Sequence, residues 1–197
     1  MKLHYSVASP YVRKVLACAI AGGVDGQITR VDTNPHVSPA DLLRDNPLSK
    51  VPCLVTSDGL ALFDSPVICE YLDSIGSANL FPPSGPARWR ALKLQAIGDG
   101  IMDAAVSRRM DIVAGAQEAR AQAMARQGEA IKRALDVLEA DTPANHLDIG
   151  TIAVACALGY LDFRFADDAW REGRPALARW YAAMEQYPEI SGTVPKG

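Results

Sequence analysis

The sequence predicts an α/β unit followed by an all-helical one. Three observations carry this prediction: strand and helix patterns alternate up to Ile75, a breaker-rich stretch runs from Gly76 to Gly85, and strand periodicity disappears beyond Pro86 as alanine and arginine rise. A chain of 197 residues with 49% hydrophobic content can bury a core of ordinary size and suits one large or two small domains.

Residues 2 to 7 alternate Leu3, Tyr5 and Val7 against Lys2, His4 and Ser6, the period of a half-buried strand. Pro10 opens a helix in which Val12, Val15, Leu16 and Ala19 fall at helical spacing, and Gly22-Gly23 ends it. Gln27 to Asp32 reads as a second strand, parallel to the first across that helix, and Asn34 to Pro39 as a turn-rich connection to a short helix. Cys53 to Thr56 and Leu60 to Phe63 flank Ser57-Asp58-Gly59, so they form a hairpin with the left-handed turn supplied by Asp58-Gly59. A helix from Ser65 to about Ile75 closes the unit. The order β-α-β, short helix, β-β-α is that of a thioredoxin-like domain, placed at residues 1–77 with a linker at 78–85 and the helical domain at 86–197.

In the second half, Ile131, Leu135 and Leu138 mark one amphipathic face, and the Ala-rich segment 114–130 is helical in bias. The run Ile152 to Phe163 is apolar almost all round and is expected as the central buried helix, with Asp148 as its cap. Pro175 opens a helix whose inner face is Leu177, Trp180, Tyr181 and Met184.

Charge excludes several partners. The net charge is −3, with 6 basic and 8 acidic side chains in residues 1–80 and 14 and 15 in the rest, so neither half is a nucleic-acid arm. Arg108-Arg109, the densest basic pair, reads first as a solvated helix face. Cys18, Cys53, Cys69 and Cys156 form no C-x-x-C pair and lack histidines at ligand spacing, so no metal is expected. No leader pattern opens the chain and no run approaches about eighteen apolar residues, which leads to the expectation of a cytoplasmic protein that does not enter membranes.

Two stretches carry chemistry. In Asn46-Pro47-Leu48-Ser49-Lys50-Val51-Pro52-Cys53-Leu54-Val55, Pro52 opens an apolar strand without donating to a ladder, which leaves the backbone N–H and C=O of Val51 for an extended ligand. A cis bond before Pro52, possible at modest cost only for X-Pro, would aim both groups outward. Asp64-Ser65-Pro66 caps a helix with Pro66 in its first position, and the free N–H groups of that first turn suit a carboxylate.

With Ser9-Pro10-Tyr11-Val12-Arg13-Lys14-Val15, Gly98-Asp99-Gly100-Ile101-Met102-Asp103 and the run Thr151 to Leu161, these residues resemble the cytosolic glutathione S-transferases, and among them small bacterial members with a serine heading the first helix. The likeness extends over nearly the whole chain. One departure is the cap of the central helix, where Asp148 and Thr151 stand in the reverse of the family's usual order. The resemblance implies a detoxification enzyme, a glutathione transferase that takes glutathione as co-substrate, adds its thiol to a small electrophile, and works as a homodimer. It places the catalytic hydroxyl at Ser9, the γ-glutamyl end at Ser65 and Asp64, the cysteinyl backbone at Val51 and the glycyl carboxylate at Lys50. The electrophile pocket would lie near Tyr11, Met102, Ala105, Val106, Arg109 and Tyr160, and Asp99 would reach a neighbouring subunit's ligand or pair locally.

The chemistry is consistent with those residue types. A free alkyl thiol has a pKa near ~8.5, and a hydroxyl donating to the sulfur at a helix N-terminus favours the thiolate by hydrogen bond and by dipole. A shift of two units corresponds to about 2.7 kcal/mol, within reach of one charge-assisted bond plus a dipole. Ser before Pro is also what any helix start prefers, and Tyr11 in the first turn is a rival for the same role. Tyr5 and Ser6 are expected to face away. Serine forms no mixed disulfide, so conjugation rather than thiol transfer follows. Two alternatives stay open at this level: a non-catalytic relative serving as a protein-binding module, and a glutathione-dependent isomerase.

Overall fold

The computed structural model describes residues 1–196. Its first part is a four-stranded sheet built from β1 (Lys2–Tyr5), β2 (Thr29–Asp32), β3 (Cys53–Val55) and β4 (Ala61–Leu62), in spatial order β2-β1-β3-β4. β1 and β2 are parallel, and β3 runs antiparallel to both β1 and β4, with Leu3 opposite Leu54 and Leu54 opposite Leu62. Helix α1 (Pro10–Ala21) makes the crossover between β1 and β2, α2 (Ala40–Asp45) precedes β3, and α3 (Ser65–Ile75) packs beside α1. The second part is all helix: α4 (Gly85–Val113), α5 (Ala121–Ala140), α6 (Ile149–Arg164), α7 (Pro175–Met184) and α8 (Pro188–Ser191).

The expected faces of α1, α5 and α7 are buried as the spacing predicts. So is α6 through thirteen consecutive residues, Ile149 to Leu161. Its cap is rebuilt with the reversed residues: Thr151 N–H donates to the Asp148 carboxylate at 2.8 Å and the Asp148 N–H donates to Thr151 Oγ1 at 2.9 Å. This is a reciprocal capping box, which satisfies two donors that would otherwise be orphaned in the interior.

Several expectations need correction. The first strand ends at Tyr5, and its alternation fails because His4 is as fully buried as Leu3 while Val7 is half exposed. His4 is held between Thr33 Oγ1 at 3.1 Å and Asp45 at 2.9 Å, so a polar residue occupies an interior place by pairing. The segment 114–130 is not one helix. A turn occupies 114–120, where Gly115 adopts φ 65°, and α5 starts only at Ala121.

The two parts are joined by contacts as well as by chain. Asp73 of α3 accepts from the N–H groups of Leu80 and Phe81 at 2.7 and 3.1 Å, and Leu80 C=O accepts from Ile149 N–H at 3.0 Å, which ties the connection to both sides. Helix α1 also lies against α6 and α8. There Lys14, fully buried, donates to Asp99 of α4 at 2.5 Å, and the buried Arg13 donates to Ile190 C=O at 3.1 Å. Asp99 thus pairs within the chain. Burial pushes its carboxyl above the usual range, while the Lys14 ammonium pulls it back.

Helix α4 packs tightly on α6: a methyl group at Gly98 would lie 2.6 Å from the backbone carbonyl carbon of Ala153. Gly98→Ala should therefore force the helices apart and lower the unfolding free energy by about 2 kcal/mol or more. Gly100→Ala, where a methyl meets nothing within 4 Å, should leave stability equal or higher by up to about 1 kcal/mol. Urea midpoints of the two variants test this directly.

Candidate active site

Between the sheet and helices α4 and α6 runs a cleft of about 780 Å³. One wall comes from the loops after β1 and β2, the segment before β3 and the start of α3. The other comes from α4 and the end of α6.

Ser9 is the N-cap of α1, with its backbone extended and its side-chain oxygen accepting from Val12 N–H at 3.3 Å. That bond uses an acceptor lone pair and leaves the hydroxyl hydrogen free to donate. No carboxylate lies in the first turn of α1, so the positive end of the helix dipole is not neutralised locally. Tyr11, by contrast, has its hydrogen committed to the Asp103 carboxylate of α4. Burial, reinforced by that bond and the negative charge of Asp103, pushes the Tyr11 hydroxyl far above the ordinary phenol range. Of the two candidates, only Ser9 offers an uncommitted donor at the helix end. Ser6, expected to face away, lies in the cleft wall, and its carbonyl accepts the Ser9 N–H at 3.1 Å.

The segment before β3 is shaped by Asn46, a buried residue whose amide donates to Lys50 C=O at 2.9 Å while its oxygen accepts from Leu48 N–H at 3.0 Å. This side chain closes the loop and presents Lys50 and Val51 along the cleft. The Val51–Pro52 bond is cis. β3 starts two residues after Val51, and the Val51 N–H and C=O have no partner among the described residues. The Lys50 ammonium is exposed and has no carboxylate within ion-pair distance among the described residues.

At α3 the cap is Asp64, whose carboxylate makes no capping bond, with Ser65 as the first helical residue and Pro66 second, one place later than the sequence suggests. The first turn therefore leaves the N–H groups of Ser65 and Val67 without partners among the described residues, beside the Ser65 hydroxyl. Asp64 and Ser65 both line the cleft. An N-terminus of this kind accepts a carboxylate with no added machinery.

The helical wall differs from the expected one at Met102. That side chain, like Ala105, is fully buried in the helical core and does not line the cleft. The reason is helical phase: Asp103, Val106, Met110 and Val113 recur at intervals of three or four residues and form the stripe facing the cleft, and Met102 lies about 100° off it. Arg109 and Tyr160 do line the cleft, and so does Arg164 at the end of α6, which sequence reasoning missed. Asn46 and Asp103 were present in the informative stretches, but nothing local announces a loop-closing amide or a tyrosine partner 92 residues away.

None of the four cysteines is a candidate thiolate. All are free and buried. Burial pushes Cys53 and Cys156 each up to about 11, and the hydrogen bond to Cys69, with burial, raises Cys18. No group of three or more metal-ligating side chains is found among the described residues.

A thioredoxin-like sheet unit joined to a helical bundle, with free backbone groups and two helix N-termini on one cleft, defines the class of this two-domain protein. Residues 8–75 match the family model described as Glutathione S-transferase, N-terminal domain, and residues 121–183 match the one described as Glutathione S-transferase, C-terminal domain. The chain belongs to the glutathione S-transferase family. It is 38% identical over 186 residues to the uncharacterized GST-like protein YibF of Escherichia coli K12, covering 91% of each chain. It is also similar to a glutathione transferase family member from Pseudomonas fluorescens Pf-5 solved with bound glutathione, at 43% identity and TM-score 0.93 over 100% of this chain and 99% of that one. A second structure from Pseudomonas fluorescens Pf-5 contains S-(propanoic acid)-glutathione and matches at 42% identity, TM-score 0.91, over 100% of both chains.

The commitment of the Tyr11 proton has an optical consequence. Tyr11→Phe should remove none of the tyrosinate absorbance that develops on raising the pH to about 11, because Tyr11 stays protonated there while an ordinary tyrosine titrates near ~10. A difference titration at tyrosinate wavelengths, wild type against variant, makes the comparison.

Proposed function

We propose that this protein is a glutathione transferase that activates the thiol of glutathione at Ser9 and adds it to a small electrophile. The observation that carries the reading is the convergence, on one cleft, of a free hydroxyl at the N-terminus of α1, an unpaired backbone pair at Val51 and unpartnered N–H groups at the start of α3. The γ-glutamyl carboxylate takes the Ser65 N–H and hydroxyl, with Asp64 toward the ammonium, the cysteinyl backbone pairs with Val51 in extended fashion, and the glycyl carboxylate meets Lys50. The cysteinyl sulfur then falls at the head of α1, where the Ser9 hydroxyl donates to it. The bound glutathione and glutathione conjugate of the two Pseudomonas fluorescens structures support glutathione as the ligand.

The division of labour follows. Residues 1–77 hold the tripeptide, 78–85 link, and 86–197 supply the wall for the electrophile. In the reaction the thiol proton leaves to solvent, and the thiolate forms a bond to the electrophilic carbon as that carbon's π bond or its bond to a leaving group breaks. The displaced pair takes up a proton from solvent or departs with the leaving group as its anion, and the conjugate is released. The family reading also implies a homodimer, supported by the exposed apolar side chains Val67 and Ile75 on α3 and Trp89 on α4. A cytoplasmic location accords with four unpaired cysteines. Among the described residues no helix is long and apolar enough to cross a membrane.

Ser9→Ala tests the catalytic assignment. The apparent thiol pKa in the pH dependence of kcat/KM should rise by about 1 to 2 units, the loss of one charge-assisted hydrogen bond, with the glutathione dissociation constant nearly unchanged. An unmoved profile would assign activation to backbone groups of α1 instead.

A further inference from the structure

The wall that faces the electrophile carries an excess of positive charge. Arg109 of α4 and Arg164 of α6 both line the cleft, each half-buried, and neither has a carboxylate within ion-pair distance among the described residues. The neighbouring Arg108, Arg171 and Arg174, which face away from the cleft, are paired, with Asp168 at 2.6 Å, with Asp162, and with Asp136 at 2.7 Å. Asp103 is the acid on the helical wall of the cleft, and it already accepts the Tyr11 hydroxyl. Asp32 and Asp64 belong to the opposite, sheet-side wall.

The Arg164 guanidinium is held in place. Arg164 stacks over the Phe163 ring, 3.8 Å from its centroid, which leaves the N–H edge of the group for other partners. Tyr160, nearly buried, lies one turn before Arg164 on α6 and also lines the cleft. Burial raises its hydroxyl above the ordinary phenol range, against the pull of Arg164 and Arg109, so it stays a donor at neutral pH. Around them Val106, Met110 and Val113 give an apolar surface. Two arginines without carboxylate partners and a hydroxyl on one cleft wall, beside apolar side chains, form a receptor for a planar anion on a hydrophobic body.

Resting on the transferase reading above, we propose that the electrophile carries a carboxylate, bound by Arg109 and Arg164 with Tyr160, and that its apolar part lies on Val106, Met110 and Val113. The class is that of unsaturated carboxylic acids. On such an acid the sulfur forms a bond to the β carbon, the π pair moves to the α carbon, and that carbon takes up one proton in place of the one lost by the thiol. Nothing is oxidised or reduced and no group leaves. The guanidinium groups matter twice, since a free carboxylate makes its own double bond a poor acceptor, and the charge that develops during addition lies on the carboxylate they hold.

The inference is tested by binding, without relying on turnover. S-(2-carboxyethyl)glutathione and S-propylglutathione share the tripeptide and nearly the same chain length and differ in the carboxylate. Calorimetry on the wild-type protein should give the acid about tenfold tighter binding, and in R109Q/R164Q that gap should close to within about twofold. Equal binding of both conjugates to the wild type overturns the carboxylate proposal and leaves the transferase reading standing. A tighter acid whose advantage survives in the double variant overturns the assignment to these arginines. Failure of glutathione and both conjugates to bind overturns the two readings together.

Discussion

Everything in the cleft depends on how α1 is held. The helix belongs by sequence to the sheet unit, lies against α3, and yet has two charged side chains sunk into the helical unit: Lys14 on Asp99 and Arg13 on the Ile190 carbonyl. A buried ion pair adds little net stability, because desolvation offsets much of the attraction. Removing one partner is different, costing about 3 to 5 kcal/mol by stranding the other charge. The pair therefore acts chiefly as a constraint on alignment. The docking seen here satisfies Lys14, and it sets the direction in which the N-terminus of α1 points. Arg13 reinforces it by fit, since its guanidinium fills the space over Gly159, where a methyl group would lie 2.0 Å from one of its nitrogens.

With α1 fixed, the cleft divides by the kind of group each wall offers. The sheet side works with backbone: free groups at Val51, free N–H groups at Ser65 and Val67, and a loop closed by Asn46. Backbone groups are already paid for by the fold and hold an invariant ligand in one pose. The helical side works with side chains on one stripe of α4 and the last turn of α6. Such a stripe can vary without disturbing the fold, so on the proposed reading constancy toward the tripeptide and choice among electrophiles would reside on different elements. Ser9 sits where the two walls meet, with its acceptor used by Val12 and its donor left over.

The legible part of this structure was the local part. Gly and Pro punctuation located the hairpin, the connection and the starts of α1, α3 and α7, because those residues restrict the backbone wherever they occur. The connection, read as 76–85, ends one residue earlier because Gly85 opens α4. The reversed cap at Asp148 and Thr151 was readable for the same reason: the partners are three residues apart. Illegible were features whose partners lie far along the chain. His4 looks like the solvent side of a strand until Asp45 and Thr33 arrive. Lys14 looks like surface until Asp99 covers it, and Met102 falls inside because the long helix α4 turns its cleft-facing stripe one step past it. The position of Ser9 was legible, but its advantage over Tyr11 was not, since that rests on Asp103.

The central claim is that the sulfur of glutathione lies at the head of α1 against Ser9. A crystal structure of the protein soaked with glutathione measures this directly. The account predicts the sulfur within about 3.5 Å of Ser9 Oγ and the γ-glutamyl carboxylate on the Ser65 N–H. A sulfur held by Tyr11 instead, or a tripeptide lying away from the start of α3, would contradict it.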